Sequence, residues 1–127
     1  MTEKNEGRHA AEFVLSEANG NRSRDNITVK SGENLVAGQV FQLDGGKAVA
    51  FTAAVDSAGA LLVAAAGIIL DNCDASATGS DADTPVAAIG RDAEVNDNLV
   101  TYPTETSGGG EHDLTVDSLK LLGIIVR

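Results

Sequence analysis

Alternating apolar and polar positions predict a body built mainly from short β-strands. The strongest pattern lies at residues 41–51, where two alternating runs flank the turn sequence Asp44-Gly45-Gly46. Two short alternating runs joined by such a turn are typical of a β-hairpin. The predicted apolar set of this hairpin is Phe41, Leu43, Val49 and Phe51.

Other apolar runs predict further strands. Short strands are expected at residues 27–30, 36–43 with an interruption at Gly38, 85–90 and 93–95. Residues 61–70, LLVAAAGIIL, are continuously apolar, which fits a strand buried on both faces and also fits a buried helix. Gly67 and the β-branched pair Ile68 and Ile69 favour the strand. The polar stretches at residues 71–83 and 104–111, the second containing Gly108 to Gly110, are predicted to be loops.

One helix is predicted near the end of the sequence. Either Asp113 or Thr115 can act as its N-cap, and Gly123 suits the left-handed position after its last turn. The apolar stripe of this helix is expected to be Val116, Leu119 and Leu122. Residues 124–127 then form a terminal strand that packs into the body. The predicted fold class is therefore mainly β, a small α+β fold with little regular structure, one short C-terminal helix and a terminal strand.

The first 25 residues have a different character and are predicted to form a flexible N-terminal arm (residues 1–25), followed by a β-rich domain at residues 26–127. Within EFVLSEANGNRSRDN (residues 12–26), one short apolar run precedes a long polar and turn-forming stretch. Phe13, Val14 and Leu15 could add as a strand to the sheet edge of another protein. Residues 17–26 lack the apolar periodicity of a core-facing segment. The alternative interpretation is an ordinary disordered N-terminus.

The charge is distributed unevenly between these two parts. Residues 1–30 hold five basic and five acidic side chains, whereas residues 31–127 hold four basic and fourteen acidic ones, so the net charge of -10 comes from the body. Binding to nucleic acid or anionic lipid draws on clustered Lys and Arg, which makes both poor partners. The longest apolar run, residues 58–70, contains two glycines and is shorter than the roughly 18 to 20 residues of a membrane span.

The core is expected to consist of small side chains, since the sequence has no Trp, one Tyr and three Phe. Large aromatic residues contribute most to burial per residue, so oligomerisation is the favoured source of additional stability. The one cysteine, Cys73, excludes an internal disulfide framework. We therefore expect the protein to be made and used without oxidation, in a cytosol or in something assembled there.

Candidate catalytic and metal-binding patterns are weak. Cys73 could pair with His9 or His112 as nucleophile and base, but Asp71 and Asp74 beside it raise a thiol pKa. The Asp-rich stretches at residues 71–74 and 80–83 lack the Gly and Glu positions of an EF-hand. Gly108 to Gly110 are not followed by the Lys-Ser or Lys-Thr of a phosphate-binding loop. No catalytic residue, metal or cofactor is predicted.

Several segments, taken in order, resemble the lambda-type head decoration proteins of tailed phages. They are EFVLSEANGNRSRDNITV, AAGIILDN, AEVN at residues 93–96 and the helix running into LGIIVR, and the resemblance covers about residues 12–127. It implies a non-enzymatic β-rich homotrimer on the outer surface of the virion, at local threefold axes of the expanded shell. It also implies assembly in the host cytoplasm and the major capsid protein as partner.

The resemblance further implies a role for the N-terminal arm, which would be disordered in the free trimer and would order on the capsid by strand pairing. Asn19, Gly20 and Asn21 would supply the turn, and Arg22 and Arg24 would bind capsid carboxylates. The predicted capsid-binding residues are Phe13, Val14, Leu15, Ser16, Asn19, Gly20, Asn21, Arg22, Ser23 and Arg24.

The resemblance also implies that the protein stabilises the expanded shell against the pressure of packaged DNA, and two other functions are alternatives to it. A generic oligomeric adaptor or tail-associated structural module without cementing activity fits the same composition. A small hydrolase or carbohydrate-binding domain fits poorly, because the sequence offers no usable base, metal cluster or aromatic sugar platform.

Overall fold

A computed structural model describes residues 9–20, 22–104 and 110–127. The fold is mostly β, with 37% of residues in strands and 12% in helices, which confirms the predicted fold class. One α-helix, α1, spans Glu111–Lys120, and a 3-10 turn spans Asp97–Leu99. The strands are β1 Val14–Glu17, β2 Arg24–Val29, β3 Asn34–Leu35, β4 Val40–Asp44, β5 Lys47–Ala50, β6 Gly67–Ile69, β7 Cys73–Asp74, β8 Thr84–Ile89, β9 Ala93–Val95 and β10 Ile124–Val126.

Five strands close into a small barrel in the order β2-β5-β4-β6-β8. A separate three-stranded sheet has the order β1-β9-β10, in which β1 runs antiparallel and β10 parallel to the central β9. A third, two-stranded sheet joins β3 to β7. The N-terminal and C-terminal strands therefore meet on opposite sides of β9.

The predicted hairpin is confirmed as β4 and β5, but its predicted apolar face is wrong. Its two-residue turn, with both glycines at positive φ, pairs Asp44 with Lys47 and therefore Gln42 with Val49. Directly paired residues share a face, so Val49 lies on the face opposite Phe41. Phe41 is buried together with Ala48, whereas Leu43 is 46% exposed near the turn.

Strand β6 and parts of the barrel strands β4 and β8 are buried on both faces. Phe41, Ile69 and Ala88 pack in a cluster inside the barrel, while the residues next to them in sequence face outward into a second cluster. That second, outer cluster lies between the barrel wall, the three-stranded sheet and α1. It contains Val40, Ile68, Ile89, Phe13, Val95, Leu119 and Ile124, among others.

The continuous strand predicted at residues 61–70 is only partly correct. Strand β6 begins at Gly67, where a side-chain Cβ would overlap the carbonyl oxygen of Ile89 and would lie in tight contact with the Phe41 ring. The residues before Gly67 do not belong to this strand. Leu61 pairs with Val55 in an isolated antiparallel β-bridge, and Leu62 is 63% exposed. The apolar run thus serves two purposes, a buried strand and an exposed apolar surface.

The other predicted strands are found as β2, β8 and β9, with β2 beginning earlier than predicted, at Arg24. The interruption at Gly38 is confirmed, because its φ of 88° places it in the left-handed region and a Cβ would overlap the Leu99 carbonyl. The predicted loop at 71–83 is largely exposed but includes β7, whose Cys73 is buried. Residues 105–109 of the second predicted loop lie outside the described residues.

The helix is confirmed, but its start and its buried face differ from the prediction. Helix α1 begins at Glu111 after Gly110, two residues before the earlier candidate cap, and its buried residues are Glu111, Thr115, Ser118 and Leu119. Of the predicted apolar stripe, Leu119 is therefore buried, whereas Val116 and Leu122 are only partly buried. Ser118 Oγ accepts a hydrogen bond from the Ala65 backbone N–H at 2.9 Å. The buried face of α1 therefore includes the small polar side chains of Thr115 and Ser118, which hydrophobic periodicity alone does not detect. The terminal strand is confirmed as β10.

Candidate functional site

Several of the residues predicted to contact a capsid pack against the body of the protein. Phe13, which was predicted to add to the sheet edge of another protein, is 0% exposed and belongs to the outer core cluster. Val14–Glu17 forms β1 and pairs with β9. The Asn96 backbone N–H also donates to the Phe13 carbonyl at 2.7 Å. Strand β2 crosses the predicted boundary between residues 25 and 26.

Strand β1 nevertheless lies at an edge of its sheet. In the part of the chain that the structure describes, it pairs with β9 on one side only, and its register shifts between Val14 and Ser16. Leu15 is 52% exposed, and Ser16 is also exposed. Edge strands with exposed apolar side chains are templates for pairing with another chain. The exposed part of β1 is therefore an edge of the predicted site that a partner strand can reach without unfolding.

The turn from β1 to β2 is anchored by Ser23, which is buried. Its hydroxyl donates to the Asp92 carbonyl at 2.7 Å and accepts from the Ala18 backbone N–H at 2.9 Å. Asn19 and Gly20 are exposed, and Gly20 has a φ of 68°. Asn21 lies outside the described residues. Ser23 thus has a structural role that its polar sequence context does not reveal.

Arg22 and Arg24 both have carboxylate partners within the chain. The Arg24 guanidinium binds Glu17 in a bidentate manner, with Nε to Oε2 at 2.9 Å and Nη2 to Oε1 at 2.8 Å. This hydrogen bonding lowers the pKa of the Glu17 carboxyl. Arg22 Nε lies 3.5 Å from Asp92 Oδ2 and forms an ion pair with it. A capsid carboxylate would have to replace these intramolecular partners.

Arg91 completes this charged surface and was not predicted from the sequence. Its Nη2 donates to both Asp25 carboxylate oxygens, at 2.9 and 2.7 Å, and its Nη1 donates to the Arg22 carbonyl. Arg91 lies 66 residues from Asp25 in sequence, so charge counting alone could not connect them. The β1–β2 turn, strand β2 and the connection from β8 to β9 together present three arginines, each paired with a nearby carboxylate.

A second polar cluster lies beside a cleft of about 450 Å³ near Thr101 and Pro103. The Tyr102 hydroxyl donates to Asp97, whose carboxylate oxygen also lies 2.9 Å from His112 Nε2. These two hydrogen bonds, Tyr102 first, lower the pKa of Asp97. The Tyr102 and His112 rings are in contact, with centroids 4.4 Å apart. The cluster joins the start of α1 to the turn that follows β9.

This cluster predicts a pH dependence of stability. The hydrogen bond to Asp97 raises the pKa of His112 above 6.5, so protonated His112 stabilises the folded state. That contribution is fully present below pH about 6.5 and is lost as pH rises through the folded-state pKa. Besides Asp97 and Tyr102, Asp113 faces this imidazole. We expect urea unfolding midpoints to fall from pH 6 to pH 8 in the native protein and to fall less in His112→Gln. Equal pH dependence in both proteins would contradict this role.

The remaining candidate for chemistry, Cys73, is buried. Burial is the largest cause that raises the pKa of its thiol, and Asp74 and Asp71 raise it further. The expected direction of the shift is correct, although burial in β7 contributes more than the neighbouring carboxylates. Within the described ranges, no group of three or more His, Cys, Asp or Glu side chains could hold a metal ion. None of the helices described there is long and apolar enough to cross a membrane.

Comparison with known proteins adds a single finding. A family model described as bacteriophage lambda head decoration protein D matches residues 3–124. Neither the curated proteins nor the solved structures compared with the chain include a match. The family is a structural phage protein family and not an enzyme family. The match covers nearly the whole sequence, and the chain therefore belongs to the bacteriophage lambda head decoration protein D family.

Proposed function

We propose that this protein binds as a homotrimer to the outside of an expanded phage capsid, at local threefold sites, and stabilises the shell against the pressure of packaged DNA. The observation that carries the proposal is the family match across residues 3–124. The charge distribution supports it, because a body with a net charge of -10 suits a soluble virion exterior and does not attract DNA. The partner is the major capsid protein, and the protein assembles onto the head in the host cytoplasm.

Stabilisation of the capsid by this mechanism requires binding and no catalytic step. A protein that binds only the expanded lattice stabilises that lattice by mass action, since its binding free energy is lost when the lattice reverts. Three contact segments on one trimer act together through their high effective concentration. Avidity of this kind exceeds the affinity of a single contact by about 10² to 10⁴. Weak individual contacts can therefore produce durable attachment.

The N-terminal arm, residues 1–25, is the proposed capsid-contact segment, and β1 is its central part. Detaching β1 would expose Phe13, at a cost of about 1.5–3 kcal/mol, and would also break the pairing with β9. Ordering roughly ten free residues costs on the order of 10 kcal/mol of backbone entropy. A capsid strand that adds to the outer edge of the docked β1 avoids both costs. We therefore favour strand addition to β1 in place over release of the arm.

This arrangement divides the predicted contact residues that the structure describes into an inner and an exposed group, with the partly buried Val14 between them. Phe13 and Ser23 position the segment from within the body, as their burial and hydrogen bonds require. The exposed members can meet the capsid directly, and the two arginines can exchange Glu17 and Asp92 for capsid carboxylates. These exposed members are Leu15, Ser16, Asn19, Gly20, Arg22 and Arg24.

The proposal is tested with DNA-free shells in two states. Purified protein is incubated with expanded and unexpanded shells, and bound copies are counted after sedimentation. We expect saturable binding to expanded shells, little binding to unexpanded ones, and a higher disruption temperature for decorated shells. Equal binding to both states, or binding to neither, would contradict capsid stabilisation and leave the adaptor alternative.

A matched pair of variants tests the contact segment in the same assay. Leu15→Asp places a charge at the exposed edge of β1, and Leu43→Asp makes the same change at a similarly exposed position near the β4–β5 turn. Burying an unpaired carboxylate against a partner is strongly unfavourable, so Leu15→Asp is expected to weaken shell binding at least about tenfold. Leu43→Asp is expected to bind normally. Equal behaviour of the two variants would place the contact elsewhere.

A further inference from the structure

The turn between β1 and β2 contains an Asn-Gly pair at residues 19 and 20, the one place in the sequence where Asn is followed by Gly. Both residues are exposed, and Gly20 has a φ of 68°, in the left-handed region that favours glycine. An asparagine in such a position can react with its own backbone, because glycine has no side chain to obstruct the amide that follows.

The reaction is an intramolecular cyclisation that consumes only water. The Gly20 backbone nitrogen forms a bond to Asn19 Cγ, the bond from Cγ to Nδ2 breaks, and the proton of the attacking nitrogen leaves with the side-chain nitrogen as ammonia. The product is a five-membered succinimide ring. Water then opens one of the two carbonyl–nitrogen bonds of that ring. Cleavage at Cγ gives aspartate, and cleavage at the main-chain carbonyl gives isoaspartate.

The fold does not hold the reacting groups. No described residue makes a hydrogen bond to the Gly20 backbone N–H or to the Asn19 side-chain amide. A Cβ placed on Gly20 would meet no atom within 4 Å, so there is space for the ring to form. A group engaged in a hydrogen bond would have to be released before it could react.

Asn96 provides a matched contrast on the same chain. Its Oδ1 accepts from the Asn98 backbone N–H at 3.0 Å. The amide that would attack it, the Asp97 N–H, donates to the Arg127 carbonyl at 3.0 Å. Both reacting groups are therefore held in the folded state. The fold thus permits at Asn19 a reaction that it opposes at Asn96.

Conversion changes both the charge and the length of the turn. Either product replaces a neutral amide by a carboxylate, and isoaspartate also lengthens the backbone by one carbon atom. The Ala18 N–H donates to Ser23 Oγ at 2.9 Å, and that hydroxyl donates to the Asp92 carbonyl, so the flanks of the turn are anchored. The change is concentrated in the exposed part of the turn, three residues before Arg22. A new negative charge there opposes the binding of capsid carboxylates.

We propose that Asn19 is a site of enzyme-independent conversion to aspartate and isoaspartate, through a succinimide formed with Gly20, and that conversion weakens attachment to the shell. The chemistry at Asn19 is independent of the proposed function, whereas its effect on attachment rests on that function. The turn thereby limits the time for which an unattached copy keeps its full affinity.

Peptide mapping by mass spectrometry tests the site. The native protein is incubated at mildly alkaline pH in heavy-oxygen water, both folded and in urea, and each conversion then adds about 3 Da to the peptide. In the folded protein, conversion at Asn19 is expected to be at least about tenfold faster than at Asn96, whose hydrogen bonds must open first. In urea the rate at Asn96 is expected to rise and the rate at Asn19 to change little. A rate at Asn19 that rises at least about tenfold in urea would overturn the proposed site.

Fresh and aged samples are then compared in the shell-sedimentation assay. Aged native protein is expected to bind expanded shells more weakly in proportion to its converted fraction. Fresh Asn19→Asp is expected to bind about three- to tenfold more weakly than fresh native protein. In Asn19→Gln the side chain would have to close a larger ring, which is much slower, so this variant is expected to bind equally before and after ageing. Thermal unfolding of every sample verifies folding.

The other outcomes separate this inference from the proposed function. Conversion at Asn19 without loss of shell binding would overturn the effect on attachment. Ageing that weakens Asn19→Gln as much as the native protein would overturn it as well, by placing the cause elsewhere. Fresh native protein that binds neither shell state would overturn the proposed function and with it the effect on attachment, whereas the mass measurement would still decide whether Asn19 converts.

Discussion

Phe13→Ala is expected to lower the free energy of unfolding by about 3–5 kcal/mol, a large part of the stability of a domain of this size. Phe13 is fully buried in the outer core cluster, where it packs with residues of the barrel and of the three-stranded sheet. Its removal leaves a cavity among elements that cannot collapse freely, because the backbone is held on both sides of it. The Ala11 N–H donates to the Leu70 carbonyl before Phe13, and Val14 pairs with Val95 after it. Urea denaturation followed by circular dichroism measures the change.

Leu15→Ala is the matched control, since Leu15 lies two residues away and is half exposed. Surface substitutions of this kind usually change stability by less than about 0.5 kcal/mol. A loss below about 1 kcal/mol in Phe13→Ala would contradict the docked position of β1 and would support a released arm. The pair thus distinguishes the two accounts of the N-terminal arm in the absence of any capsid.

Deletion of residues 124–127 is expected to abolish the folded state at 25 °C. It removes β10, the buried Ile124 side chain and the backbone hydrogen bonds that join β10 to β9. It also removes the Arg127 backbone contacts, in which its N–H donates to Val95 and its carbonyl accepts from Asp97. Loss of β10 uncovers the outer core cluster at the edge of the sheet opposite β1. Loss of a cooperative urea transition is the expected measurement.

Arg127→Ala controls for the charge that the deletion removes. The Arg127 side chain is exposed, and its 3.1 Å contact with Glu94 is a surface ion pair of the kind that contributes little. This variant is expected to unfold cooperatively, close to the native midpoint. A truncated protein with a native-like transition would show that β10 is dispensable and that β1 and β9 form a stable pair without it.

These two results affect how capsid binding can be tested. Changes to Phe13 or deletion of β1 remove part of the core, so a loss of attachment in such variants would report on folding. Exposed positions such as Leu15 separate contact from stability, because their side chains contribute little to the body. Shell-binding measurements on the N-terminal arm therefore require variants of its exposed side chains.

Local sequence signals predicted several elements because their causes are local. The turn glycines of β4 and β5, the β-branched residues of β10 and the left-handed glycine at position 123 act over a few residues. Such features depend on φ, hydrogen-bond geometry and side-chain shape within one segment. The predicted hairpin, helix and terminal strand were therefore found, even where their ends moved by a few residues.

The N-terminal arm shows what local signals could not predict. Its polar composition indicated exposure, yet Phe13 and Ser23 are buried because distant segments supply their partners, Val95 and Asp92. The same limit applies to Arg91 and Asp25, which are 66 residues apart, and to the polar buried face of α1. Each depends on a contact between segments that the chain brings together only when it folds.

The sequence by itself determined the β-rich class, the acidic body, the order of most elements and the family to which the chain belongs. Those properties follow from composition, short-range periodicity and segment order. Only the tertiary structure decided that β1 docks as an edge strand, that Arg22, Arg24 and Arg91 have intramolecular partners and that residues 59–64 and α1 form one groove. The physical reason is that burial, edge position and charge pairing are properties of contacts between segments, and the same residues carry none of them in isolation.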